Sequence, residues 1–196
     1  MLSMHREVDR IGLPKGRGMR IVRASISDLE DVLFVERAAF GRDDEAELVR
    51  SLLMDTSAEP YESLLARDGE RPVGHILFTA ARLEGASRSA SVTILAPLAV
   101  VPDAQGRGVG GLLIEEGLRI LTESRVDLVF VGGHPDYYPR HGFVPAEPQG
   151  FAPPYPIPPE HEEAWMVREL VPGLIGSLHG RVLCADSLDR PEYWRE

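Results

Sequence analysis

Apolar and polar positions along this chain follow two periods, and the switches between them mark its elements. Met19 to Arg23 alternates and predicts a short strand. Ser27, with Glu30 three positions on, is a helix-start signature. Leu29, Val32, Leu33, Val35 and Ala39 then recur at helical spacing up to about Phe40. Gly41 closes that helix, and Asp43 and Asp44 open a second, carried by Leu48, Val49, Leu52 and Leu53. The period changes after it. Ser63 to Arg67 and Val73 to Leu83 read as strands joined by the tight-turn pair Asp68-Gly69. Ser91 to Val101 reads as a buried central strand containing Pro97, which cannot donate to a ladder and so marks an edge, a bulge or a splay. A helix from about Gly108 to Ser124 and a buried strand from Leu128 to Val131 follow. Gly132 to Arg140 is a tight, Tyr-containing connection, and Gly142-Phe143-Val144 begins another strand. Phe151 to Pro159 is a Pro-rich loop, and Ala164 to Leu170 is the last strand the pattern supports. The order β-α-α-β-β-β-α-β-α-β-β predicts an α/β chain with one mixed, mostly antiparallel sheet flanked by helices. Residues 1–18, Gly-rich and charged, read as a flexible arm, and residues 19–170 as the domain. Residues 171–196 either cover a sheet edge or contact a second copy in a homodimer.

Charge and composition remove several classes of partner. The formal net charge of −10 argues against nucleic acid, which needs a basic surface. The acid is uneven: Asp28 to Glu59 holds ten acidic residues against three arginines, while Met1 to Arg20 holds five basic against two acidic. The acidic stretch is either a solvated helical surface or a field that draws in a cationic amine. No apolar run approaches the ~20 residues that span a bilayer, and Met1 to Arg6 lacks the apolar core of a secretory signal, so no membrane partner is expected. Cys184 is the single cysteine, which excludes an internal disulfide and points to a reducing cytoplasm. The six histidines are scattered without ligand spacing, so no metal is expected.

The chemistry concentrates at Gln105-Gly106-Arg107-Gly108-Val109-Gly110, between a strand and a helix. Alternate glycines let backbone N–H groups converge on an anion at a helix N-terminus, and Arg107 can add a charge-assisted contact. A ligand-free tight turn is the other reading. Three nucleotide owners are conceivable. A P-loop requires Lys followed by Ser or Thr, and neither is present. Gly106 to Gly111 formally satisfies the dinucleotide G-x-G-x-x-G pattern, but Val131-Gly132-Gly133 stands where the ribose-binding acid belongs. An oxidoreductase therefore rests on the glycines alone.

The loop's context resembles the GNAT superfamily of acetyltransferases. Leu98-Ala99-Val100-Val101-Pro102-Asp103 followed by Gln105 to Gly110 and an amphipathic helix is similar to that superfamily's acetyl-CoA motif. Tyr138-Pro139-Arg140-His141-Gly142-Phe143 looks like its Y-x-x-x-G-F element, and Gly133 to Phe143 is similar to the YhbS-like branch of N-acetyltransferases. The resemblance covers roughly Arg20 to Leu170. It implies a GNAT-like fold whose central sheet is splayed at the acetyl-CoA site, with acetyl-CoA as cosubstrate. Backbone groups of Leu98, Ala99 and Val100 would hold the pantetheine, and N–H groups of Gln105, Gly106, Arg107, Gly108, Val109 and Gly110 the pyrophosphate. His134 is grouped with the cofactor-binding residues, with an acid–base role also open. Tyr138 matches the family tyrosine that protonates the departing thiolate, and Tyr137 competes with it.

The general base has no clear owner. Val92 to Val101 contains no acid, which leaves Glu84, Glu36, Glu162 or a water-mediated route. The expected activity is acetyl transfer from acetyl-CoA to a small-molecule or peptidyl amine. The alternative is a catalytically silent acyl-CoA sensor of the same fold. The acceptor pocket is expected between Val32–Thr56 and Gly150–His161, with Phe40, Phe151, Tyr155 and Trp165 as lining candidates.

Overall fold

A computed structural model describes residues 18–194, so the arm expected over residues 1–18 lies, apart from Gly18, outside the described residues. The segments read as strands become β1 (Met19–Arg23), β2 (Glu62–Asp68), β3 (Arg71–Glu84) and β4 (Val92–Val100), each antiparallel to the next. Strand β5 (Leu128–Gly132) lies parallel to β4, and its other edge takes β8 (Trp165–Glu169) antiparallel. Strand β6 is only Val144–Pro145, paired with β8. The family-type mixed sheet, flanked by helices and not closed, is therefore present.

Helix α1 (Leu29–Phe40) ends at Gly41, whose φ of 70° is the left-handed cap its sequence promised. Its start differs from expectation. Ser25, not Ser27, caps a preceding 3-10 turn, with the Ser25 backbone N–H donating to Asp28 Oδ2 at 2.9 Å. Helix α2 (Asp44–Leu53) follows, and α3 (Val109–Glu123) fills the crossover that makes β4 and β5 parallel. Glycines let α3 approach the sheet closely. A Cβ at Gly74 of β3 would sit 2.9 Å from Val109 Cγ1 and 3.0 Å from Leu113 Cδ1, and one at Gly117 would overlap the buried Phe78 ring. The helix expected between β5 and β6 is only a 3-10 turn at Tyr138–His141, because Pro139 and Gly142 confine it.

Two features escaped the sequence pattern. The Pro-rich loop begins with β7 (Phe151–Ala152), and the C-terminal segment supplies β9 (Gly180–Leu183), parallel to β7 and antiparallel to the end of β3. Residues 171–194 thus cover the far edge of β3 and carry Trp194 onto Trp165, ring centroids 5.6 Å apart. Among the described residues, no helix is long and apolar enough to cross a membrane.

The sheet opens at one place. β4 pairs with β5 from Val92↔Leu128 to Leu95↔Val131 and no further. Opposite Ala96 and Pro97 the register with β3 shifts, between Ile76 and Phe78. Pro97 therefore sits in a bulge where β4 departs from β5. Beyond it, among the described residues, Leu98, Ala99 and Val100 keep β3 as their only strand partner.

Candidate active site

Two cavities meet at this opening. The first, about 950 Å³, lies between the free edge of β4, the glycine loop, the first turn of α3 and the turn from Gly132 to His141. The second, about 430 Å³, lies between Ile94–Ala96, the Pro-rich loop and the C-terminal segment. Gly132, Gly133 and His134 line both.

The glycine loop is built as an anion cradle. Gly106 and Gly108 have φ of 72° and 81°, a left-handed conformation that L side chains rarely adopt. A Cβ at either position would meet nothing within 4 Å, so the space in front of them is open. Gly108 is the N-cap of α3, and the first-turn N–H groups of Val109, Gly110 and Gly111 have no carbonyl of the helix four residues back. Together with the helix dipole they present partial positive charge to the first cavity.

Most of the residues singled out from sequence come together there. Leu98, Val100, Gln105, Gly106, Gly108, Val109, Gly110, His134 and Tyr138 all line the first cavity. Gln105 turns its side chain back: Nε2 donates to the Val100 carbonyl at 3.0 Å and ties the loop to β4. Ala99 offers only backbone, since its methyl is buried on the opposite side of the strand. Arg107 departs from expectation. Its side chain is half exposed, lies 3.4 Å from Asp68 Oδ2, and is not part of the cavity wall.

The two tyrosines occupy different depths. Tyr138 packs edge-on against Phe143 and Tyr137, and a Cβ at Gly133 would overlap its ring. Burial, with a smaller contribution from Tyr137, pushes its phenol well above the ordinary value of 10.0. Tyr137 points its hydroxyl at the glycine loop, 2.5 Å from where a Cβ of Gly110 would stand. Arg140 stacks over the Tyr137 ring at 4.9 Å from its centroid. His141 lies against α3, its Cε1 3.4 Å from where a Cβ of Gly111 would be, and its buried Nε2 has no hydrogen-bond partner among the described residues. Burial lowers the His141 pKa below its ordinary value of 6.5. Arg140 and His141 stood inside the quoted motif without a role, because only the fold turns them toward the loop.

None of the three acids considered as a base lines either cavity. Glu36 is fully buried and shares a hydrogen bond with His75, 2.5 Å from Nδ1 to Oε1. Glu84 ends β3 beside Arg181 of β9, and Glu162 is exposed beside the site of Glu147. The expected acceptor residues are redistributed as well. Phe40 lines the first cavity, Phe151 and Trp165 are core, and Tyr155 donates to the Asp189 carbonyl at 3.5 Å. Of the expected regions, only the Pro-rich loop reaches the second cavity, through Ile157 and His161. Among the described residues no group of three or more His, Cys, Asp or Glu could hold a metal.

A mixed sheet split beside a glycine-capped helix, with a Tyr-bearing turn closing the gap, defines an acetyltransferase of the GNAT class. Residues 24–151 match the model of the acetyltransferase (GNAT) family, and the chain belongs to that family. It is 51% identical over 161 residues to the uncharacterized N-acetyltransferase YjhQ of Escherichia coli K12, covering 82% of this chain and 88% of that one. Its fold is similar to that of the GNAT family N-acetyltransferase YhbS of Escherichia coli in complex with CoA, with a TM-score of 0.80 and 26% identity over 91% of this chain and 96% of that one. A GNAT family acetyltransferase of Brucella melitensis in complex with acetyl-CoA shares the fold at a TM-score of 0.71 and 24% identity, covering 89% of this chain and 100% of that one.

Proposed function

We propose that the chain transfers the acetyl group of acetyl-CoA to a primary amine of a small molecule or peptide, by direct attack of the amine on the thioester. The observation that carries this is the meeting of an unpaired β4 edge, a left-handed glycine cradle and Tyr138 in one cavity. The CoA held by the YhbS relative supports the same assignment. In this reading the backbone of Leu98, Ala99 and Val100 pairs with the pantetheine amides as a further strand would. The N–H groups from Gly106 to Gly111 take the pyrophosphate, and Tyr137 and His141 border it.

Tyr138 enters the reaction as a hydrogen-bond donor to the departing sulfur. An alkyl thiol titrates near ~8.5 and a phenol near ~10 before burial, so full proton transfer to the thiolate runs uphill. Raising the phenol further keeps it protonated and steepens that slope. Its contribution is a fixed donor where negative charge develops.

Tyr138→Phe keeps every ring contact and removes only the hydroxyl. We expect kcat to fall about 100-fold with acetyl-CoA affinity unchanged. Tyr137→Phe should instead weaken acetyl-CoA affinity with kcat nearly held. Thiol release from acetyl-CoA across an amine panel, paired with calorimetric titration of CoA, measures both. A silent acyl-CoA sensor is the second reading, favoured by the absence of Glu36, Glu84 and Glu162 from the cavity walls. Binding without turnover on any amine would decide for it.

A further inference from the structure

The second cavity has a chemistry of its own. Ile94, Leu95, Ile157, Leu188 and Trp194 supply large apolar side chains to its wall. Its titratable side chains are His134, His161 and Tyr193, and among the described residues no Asp, Glu, Lys or Arg lines it. The Trp194 indole N–H is already spent on the Leu188 carbonyl at 3.2 Å, so that wall is apolar and fixed. A volume of about 430 Å³ lies at the small end of ligand pockets.

We propose, building on the acetyl-transfer reading, that this cavity receives a primary monoamine with a compact apolar body, its nitrogen directed to His134. Three features of the cavity select that class. A second ammonium, as on a polyamine, would lose its water with no carboxylate to replace it, and burying such a charge unpaired is strongly unfavourable. A substrate carboxylate would find no Arg or Lys among the described residues of the wall. The apolar wall instead offers area to an aryl or branched alkyl group. The nitrogen belongs at His134 because that residue, with Gly132 and Gly133, is common to both cavities, and neither glycine has a side chain that can take a proton.

The same placement gives His134 a task. The amine must attack as the free base, and a wall without carboxylates holds that neutral form best. As nitrogen attacks the thioester carbonyl, the C–N bond forms and the C–S bond breaks. The proton shed by nitrogen passes to the His134 imidazole, Tyr138 donates a hydrogen bond to the leaving sulfur, and His134 returns the proton so that CoA leaves as the thiol. The products are the N-substituted acetamide and CoA.

The test is steady-state thiol release by the full chain with acetyl-CoA and 2-phenylethylamine, 3-methylbutylamine, spermidine, β-alanine or a tripeptide with a free N-terminus. The two apolar monoamines should exceed the others in kcat/KM by about 100-fold, the discrimination expected from one unpaired buried charge. Ile157→Glu, in a half-buried loop position, should invert the order by lowering 2-phenylethylamine and raising spermidine, each about tenfold. His134→Gln should lower kcat about 100-fold with the KM for both substrates nearly unchanged. Calorimetric titration of CoA on each variant shows that it is folded and loaded. Preference of the wild-type chain for spermidine, β-alanine or the peptide overturns the monoamine proposal and leaves acetyl transfer standing. CoA binding without turnover overturns it in favour of the sensor, and absence of CoA binding removes the reading beneath it.

Discussion

Glu36, His75 and Ser63 form a buried chain: Glu36 Oε1 lies 2.5 Å from His75 Nδ1, and His75 Nε2 lies 2.9 Å from Ser63 Oγ. Glu36 was one of the acids a reader of the sequence could offer as the base, and the fold gives it a different setting. It stands on α1 one turn before Phe40, which reaches the first cavity, and His75 stands opposite Ala99 of the open β4 edge. The pair therefore fixes α1 against the strands that shape the cavity. Its second oxygen, Oε2, is buried without a hydrogen-bond partner among the described residues. Burial pushes the Glu36 carboxyl above its ordinary value of 4.5, against the opposing pull of His75. A carboxyl with a raised folded-state pKa holds its proton longer in the folded protein than in the unfolded one. Stability is then full below 4.5 and declines as pH climbs through the folded value. Glu36→Gln removes this titration. Denaturant unfolding between pH 4.5 and 7.5 should show the variant gaining on the wild type, at no more than about 1.4 kcal/mol per pH unit. A constant difference across that range would contradict a protonation-dependent cost at Glu36.

Helix α3 carries the cradle at its first turn and is seated by glycine at mid-length. Gly117 faces Phe78, a ring with no exposed surface and no room to withdraw. Alanine there gains roughly 1 kcal/mol of helix propensity but brings overpacking of about 1–3 kcal/mol. Packing should win, leaving Gly117→Ala less stable by ~1 kcal/mol, and Phe78→Leu in the same chain should recover most of that loss. Thermal or denaturant unfolding of the single and double variants measures it, and a stabilised Gly117→Ala would contradict the seating. Much of this element level was legible. Short β-rich runs bounded by turn residues marked β1 to β3, continuous apolar runs marked β4 and β5, and Pro97 marked the bulge because a missing N–H is a local property. What the sequence hid is non-local. β9 is four residues long and exists because it finds Arg82–Glu84, about a hundred positions earlier. Arg107 seemed aimed at an anion, yet Asp68 of β2, brought near by folding, takes it. Ser27 looked like a cap, and Ser25 with Asp28 outcompeted it through two hydrogen bonds, at 2.9 and 2.8 Å.

At the scale of the whole molecule, two cavities with different walls meet at the sheet's opening, and the proposed reaction divides its substrates between them. The donor side is built from contiguous sequence, Leu98 to Gly111 and Gly132 to His141, which is why its motifs could be read along the chain. The proposed acceptor side is assembled from β4, the Pro-rich loop and residues 188–194, so no stretch of sequence announces it. The net charge of −10 repels a polyanionic cosubstrate at long range, which leaves its recognition to the local field of the loop and the α3 N-terminus. That makes Gly108 the position where the account stands or falls. A side chain there meets open space in the protein itself, so the fold should survive apart from the strain of a left-handed φ, on the order of 1–2 kcal/mol. Calorimetric titration of acetyl-CoA into Gly108→Glu, with Gly108→Asn as the control for backbone strain, is the most direct measurement. Asn should retain binding within about tenfold of wild type while Glu should lose at least about 100-fold, because its charge occupies the pyrophosphate's place. Equal acetyl-CoA affinity in Gly108→Glu and the wild type would contradict it.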